Sequence, residues 1–155
     1  MLLYITSFED KKHLKIGVCK DMFRINFLNE VYNINFHKSI VIQSTDKQLL
    51  KLLEKNLLTA TKKYVVENFE LNDNRGVQAG KSEVRVVQAL EIIQDVLNYH
   101  CKLYKKSLEI NRFALIRCKH CKNFEWIFDT VNLKSLPWKS DDPIIYSYKK
   151  YRSKS

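Results

Sequence analysis

The first 24 residues restrict the fold more than any other stretch. Two short apolar runs, Leu2–Thr6 and His13–Val18, flank a polar, charged segment. Apolar runs of this length separated by a turn-forming stretch are the pattern of a β-hairpin. The second run carries Lys15-Ile16-Gly17, and a helical pattern opens near Lys20-Asp21, with Arg24 in its first turn. Tyr4, Lys15, Gly17 and Arg24 are thereby expected at one edge of a small sheet. Gly17 is one of only three glycines, with Gly76 and Gly80. Where glycine is so scarce, each one marks a backbone that needs positive φ or close approach.

The pattern beyond the hairpin alternates between helix and strand. Residues 20–31 read as a helix, with Met22, Ile25 and Leu28 spaced by three and Phe23 and Phe27 by four. Asp21 near its start suits the positive end of the helix dipole. Asn33–Asn35 break the pattern, and Phe36–Gln43 contains the β-branched run Ile40-Val41-Ile42, expected as a central third strand. Thr45-Asp46-Lys47-Gln48 has the form of a capping box. The helix it opens bears Leu49, Leu50, Leu52, Leu53, Leu57 and Leu58, and Glu54 lies beside that stripe, four residues from Leu50 and from Leu58. Val65-Val66 suggests a short strand, and residues 72–81 a loop. Ser82 is the expected N-cap of a second long helix through Val86, Leu90, Ile93 and Leu97, continuing toward Tyr104.

After Lys106 the runs Arg112–Arg117 and Phe124–Val131 predict a hairpin whose turn holds Cys118-Lys-His-Cys121. Beyond Leu133, Pro137 and Pro143 interrupt regular structure, and Tyr146, Tyr148 and Tyr151 sit among the basic residues of a tail. The expected class is α/β in the broad sense (α+β): a small central sheet flanked by helices, residues 1–98, with a C-terminal hairpin extension, residues 99–155.

Composition narrows the partners. Lys and Arg total 27 against 17 Asp and Glu, a formal charge of +10. That excess favours polyanions, because basic side chains displace counterions condensed on phosphate backbones. Lys20, Arg75, Lys149, Lys150 and Arg152 are the candidate nucleic-acid contacts. No apolar run approaches the roughly 18 residues a membrane span needs, and the N-terminus lacks the pattern of a signal peptide. An intracellular protein with reduced cysteines, in the cytoplasm or wherever host-cell nucleic acid is handled, is expected.

The order Tyr4-Ile5 … Lys15-Ile16-Gly17-Val18-Cys19-Lys20-Asp21 … Arg24 resembles the GIY-YIG nuclease superfamily over roughly residues 1–95. It is similar in particular to the divergent phage and large-DNA-virus branch, where the second motif is commonly Lys-Ile-Gly. Leu2-Leu3-Tyr4 stands where Gly-Ile-Tyr would be. The resemblance implies a GIY-YIG-like fold and cleavage or nicking of DNA with Mg²⁺ or Mn²⁺. It implies Tyr4 as the base that activates water, Arg24 as the phosphate clamp, and Glu54 as the metal ligand on the helix after the third strand. It implies for Lys15 a phosphate contact or the tuning of Tyr4.

Each assignment has a chemical basis and an ordinary structural alternative. A phenol with a pKa near 10 needs neighbouring cations to ionise at pH 7, and Lys15 on the paired strand is expected to supply one. Arginine binds phosphate oxygens in a two-pronged way that lysine cannot copy. Mg²⁺ keeps several waters and takes one or two carboxylates, so a lone glutamate is adequate. Glu83 is a further carboxylate, read mainly as complementing a helix N-terminus. His37 is a loose candidate for proton transfer. Cys118 and Cys121, with His100, Cys101 and His120 as possible partners, give a weak zinc signal. The Tyr/Lys/Arg tail suits base stacking. Two other readings stay open: a catalytically silent DNA-binding module of the same fold, and a protein of a virus or mobile element that binds a host protein. The abundance of Lys, Asn and Ile suggests an AT-rich genome.

Overall fold

A computed structural model describes residues 1–67, 69, 83–104, 107–118, 120–139 and 145–147. Strand β1, Leu2–Ser7, is buried along its whole length. A strand covered on both faces reads as a continuous apolar run rather than an alternating one. It pairs antiparallel with β2, His13–Cys19, in a register that sets Tyr4 opposite Gly17 and Thr6 opposite Lys15. The turn between them is local chemistry. The Asp10 carboxylate accepts the backbone N–H of Lys12 (2.8 Å) and of His13 (3.0 Å), and Lys11 takes a φ of 61°.

Helix α1, Met22–Tyr32, starts where Asp21 accepts the Phe23 N–H at 2.9 Å and ends where Asn33 turns left-handed at φ 56°. Its buried side is Ile25 and Leu28. Phe23, expected on the buried face, is 71% exposed. The expected strand from Phe36 shortens to β3, Ile40–Gln43, after a 3₁₀ turn at Phe36–Lys38. β3 is central, lying between β1 and β5. Helix α2, Lys47–Ala60, is capped by Asp46, whose carboxylate accepts the Leu49 N–H at 3.1 Å; Asp46, not Thr45, is the N-cap.

The stretch before the third helix departs from expectation. Residues 84–89, read as helix, form strand β4, Val84–Val86, and a 3₁₀ turn, Val87–Ala89. Val84-Arg85-Val86 alternates with period two, and pairing with β2 outweighs the helical spacing. Helix α3 is Leu90–Leu103. Ser82 lies outside the described residues, and the expected division at residue 98 falls inside α3. Val65 and Arg85 form an isolated bridge instead of a further strand.

The C-terminal hairpin is β5, Glu109–Arg117, with β6, Phe124–Thr130. It continues the sheet: β5 pairs with β3, and β7, Ile145–Ser147, runs parallel beside the far end of β5. The order is β4-β2-β1-β3-β5-β6, antiparallel except at β7. The chain is thus a mixed α+β fold with a seven-stranded sheet and three α-helices among the described residues. Helices α2 and α3 cover one face, where Leu50, Leu53, Leu57, Ile93 and Leu97 meet Leu3, Ile5, Leu14 and Ile16. α1 lies on the other face, among Leu2, Tyr4, Phe36, Val41 and Phe113.

Leu50 is fully buried in the first cluster, whereas Leu52 on the same helix is 42% exposed. Leu50→Ala is expected to cost about 2–5 kcal/mol in urea denaturation, and Leu52→Ala less than about 1 kcal/mol. Equal losses would show that α2 presents a different face to the sheet.

Candidate functional site

The site grows from the edge of β2. β4 covers only His13–Lys15, so the strand's second half has no described neighbour on that side. Around this gap stand Tyr4, Lys15, Arg24, Glu54 and Glu83. Tyr4, Lys15 and Gly17 share one face, because Tyr4 is paired with Gly17 and Lys15 is two residues away. The hydroxyl end of the tyrosine ring lies against the glycine: a Cβ at position 17 would fall 2.6 Å from Tyr4 Cζ. Gly17 therefore serves close approach, one of the two reasons the sequence offered.

Lys15 is 1% exposed, and its ammonium lies 5.8 Å from the centre of the Tyr4 ring. Glu83 Oε2 accepts a hydrogen bond from Lys15 Nζ in a close ion pair. A buried ammonium demands such a partner, since an unpaired one costs several kcal/mol. Burial lowers the Lys15 pKa, while Glu83 and Glu54 oppose that shift. Glu83 is not a helix-dipole residue, as its sequence context suggested; it immediately precedes β4 and is held by its neighbour. Arg85, buried in β4, donates to Thr61 Oγ1 (3.0 Å) and the Leu58 carbonyl (3.2 Å) at the end of α2. Sequence reasoning missed Arg85, although a basic residue between two valines in a strand is a visible sign.

Glu54 arrives from the other face. Its carboxylate accepts the backbone N–H of Val18 at the uncovered edge of β2. Burial first, and then the Glu83 charge, raise the Glu54 pKa, with Lys15 and Lys51 opposing. Arg24, in the first turn of α1, reaches the Tyr4 hydroxyl with a side-chain hydrogen bond. Burial, reinforced by Glu83, pushes the Tyr4 phenol well above its ordinary value, and Arg24 only partly offsets this. The expectation that Lys15 would ionise Tyr4 is thus corrected: its charge is matched by Glu83, and the phenol is protonated near neutral pH.

The remaining candidates lie apart. His37 packs against Trp126, 5.1 Å between ring centres, with Nδ1 buried and lacking a partner. Lys20 is exposed just ahead of α1. Arg75, Lys149, Lys150 and Arg152 lie outside the described residues. Tyr146 is not a free stacking residue of the tail: its hydroxyl donates to Asp129 Oδ2 at 2.9 Å, and Arg112 shares that carboxylate. Hydrogen bonds from Cys121 lower the pKa of the Cys118 thiol. His100, on α3, is bonded to Asn56. Among the described residues no three His, Cys, Asp or Glu side chains gather as a metal set. Nor is any described helix long and apolar enough to cross a membrane.

No family model matches the chain, and no curated protein or solved structure matches it.

Two measurements probe the geometry. Gly17→Ala should cost about 1–3 kcal/mol through overpacking, and most of that cost should vanish in a Tyr4→Ala background. An unchanged cost would sink the ring contact. Glu54 has a raised folded pKa, so the folded chain holds a proton that the unfolded chain has released just above the ordinary value of 4.5. Stability relative to Glu54→Gln should therefore fall as pH rises through that window. A flat difference in stepped urea titrations would remove Glu54 from its buried, acid-lined position.

Proposed function

We propose that the chain is a GIY-YIG-like, metal-dependent DNA endonuclease or nickase. The observation that carries the reading is the gathering of Tyr4, Lys15, Arg24, Glu54 and Glu83 around one uncovered strand edge. Five residues from five separate segments serve no common packing purpose there. The formal charge of +10 suits a polyanionic substrate.

The roles follow from the surroundings of each group. Arg24 stands on the first turn of a helix and is suited to grip two oxygens of the scissile phosphate. Tyr4, protonated at rest, accepts from Arg24 and keeps its own proton to donate to a phosphate oxygen. On this reading Tyr4 positions a phosphate oxygen by hydrogen bond, which needs the buried hydroxyl to become accessible when substrate binds. The charges of Glu54 and Glu83 act on each other, and oxygen donors of this kind suit a hard divalent cation with retained waters. Mg²⁺ or Mn²⁺ bound through Glu54 would supply positive charge for the phosphate and the leaving oxygen. Lys15, tied to Glu83, holds that second carboxylate in place.

A second reading is favoured by one specific observation. The closed Lys15–Glu83 pair and the raised Tyr4 pKa leave no ready base of ordinary tyrosine type. A DNA-binding module of the same fold, without cleavage, fits that arrangement.

Supercoiled plasmid incubated with Mn²⁺ separates the two. Nicking is expected, and Glu54→Ala and Arg24→Ala should each slow it on the order of 10²-fold or more. Salt-dependent binding with no nicking by the wild-type chain would overturn the enzyme and leave the module.

A further inference from the structure

The edge strand β6 has a second face that the site does not use. Phe124, Trp126 and Phe128 alternate along it and so project to one side, opposite Arg117, Leu115 and Phe113 of β5. Their rings are spaced by about 7 Å along the strand. The acidic residues of the strand, Glu125 and Asp129, alternate onto the reverse face, where Asp129 is bound by Arg112.

Phe124 and Trp126 are exposed, whereas Phe128 is half-buried against Phe113, 5.6 Å between ring centres. Trp126 is held by Phe36 (4.7 Å between ring centres), His37 (5.1 Å) and Phe113 (6.3 Å), yet remains 37% exposed. Phe124 is 48% exposed, with the Arg117 guanidinium 5.8 Å from its ring centre. Lys122 and His120 lie exposed in the turn that leads into the strand. Large rings that are immobilised by neighbours and open on one side bind flat partners at little entropic cost. The cationic flank and the placing of the β6 carboxylates on the reverse face complement a phosphate chain, and flat rings add a surface on which bases stack.

We propose that Phe124, Trp126 and Phe128 form a stacking platform for single-stranded DNA, with Arg117 and Lys122 contacting its phosphates. This rests on the nuclease reading and sharpens it: the preferred substrate has an unpaired strand next to the cleaved position. Phe128 also borders a cavity of about 890 Å³ that Lys20, Asp21, Met22 and Glu109 share.

The test is binding of a short fluorescein-labelled oligo-dT in EDTA, read by the anisotropy of the label, beside a blunt labelled duplex of the same length. Oligo-dT should also quench the tryptophan emission of the wild-type chain. Trp126→Ala and Phe124→Ala should each weaken oligo-dT binding about ten-fold while changing duplex binding less than about two-fold. Trp126→Phe, which keeps a ring and the packing, should retain most of the affinity. Unchanged oligo-dT affinity in both alanine variants overturns the platform. So does equal loss on both DNAs, or a wild-type dimer that Trp126→Ala dissociates without altering oligo-dT affinity. A chain that binds oligo-dT through Trp126 yet nicks no plasmid keeps the platform and loses the nuclease. The reverse result keeps the nuclease alone.

Discussion

The ion pair between Lys15 and Glu83 joins two segments 68 residues apart and ties the start of β4 to β2. Lys15 lies on a strand so thoroughly covered that its ammonium has almost no access to water. Either the charge finds a carboxylate or the strand cannot sit where it does. Glu83 answers that demand, and β4 begins at the very next residue. Arg85 then anchors β4 to the end of α2, through Thr61 and Leu58. One buried cation thus fixes the start of β4, which among the described residues pairs with β2 only over His13–Lys15.

That gap brings together groups that come from opposite layers. Tyr4 and Arg24 belong to the side of α1, whereas Glu54 belongs to the side of α2. Across a complete sheet they would be screened from each other by a layer of backbone. Beyond the stretch of β2 that β4 covers they share one neighbourhood, and each shifts the proton affinity of another. Lys15 feels Arg24 from one layer and Glu54 from the other. Tyr4 and Lys15 are buried within the cluster, which strengthens the interactions they make, whereas Arg24, Glu54 and Glu83 are partly exposed.

Much of this was legible in the chain. The opening hairpin, the β-branched run at Ile40–Ile42 and the leucine stripe of α2 each announce themselves through strong local periodicity. Glu54 beside that stripe could be singled out from spacing alone. Gly17 could be marked as special, though not as the floor beneath a tyrosine ring. What stayed hidden depends on contacts distant in sequence. Helical spacing from Val86 to Leu97 concealed β4, because the same valines satisfy a strand once β2 is available to pair with. Glu83 read as a helix-start residue, since nothing local reveals the ammonium it meets. The Tyr4 pKa went the other way from expectation for the same reason: burial is a property of the assembled sheet. Asp129 likewise claims Tyr146 from what looked like a free tail.

The Val18 amide has one more consequence. A strand with an uncovered edge offers its backbone to any extended peptide, and chains exploit such openings to zip together into fibrils. In β2 the Val18 N–H, beyond the stretch that β4 covers, is already taken by the Glu54 carboxylate. An incoming strand would have to displace a negative charge and bury it against Glu83. The carboxylate that makes this edge chemically interesting therefore also keeps neighbouring molecules from growing onto it.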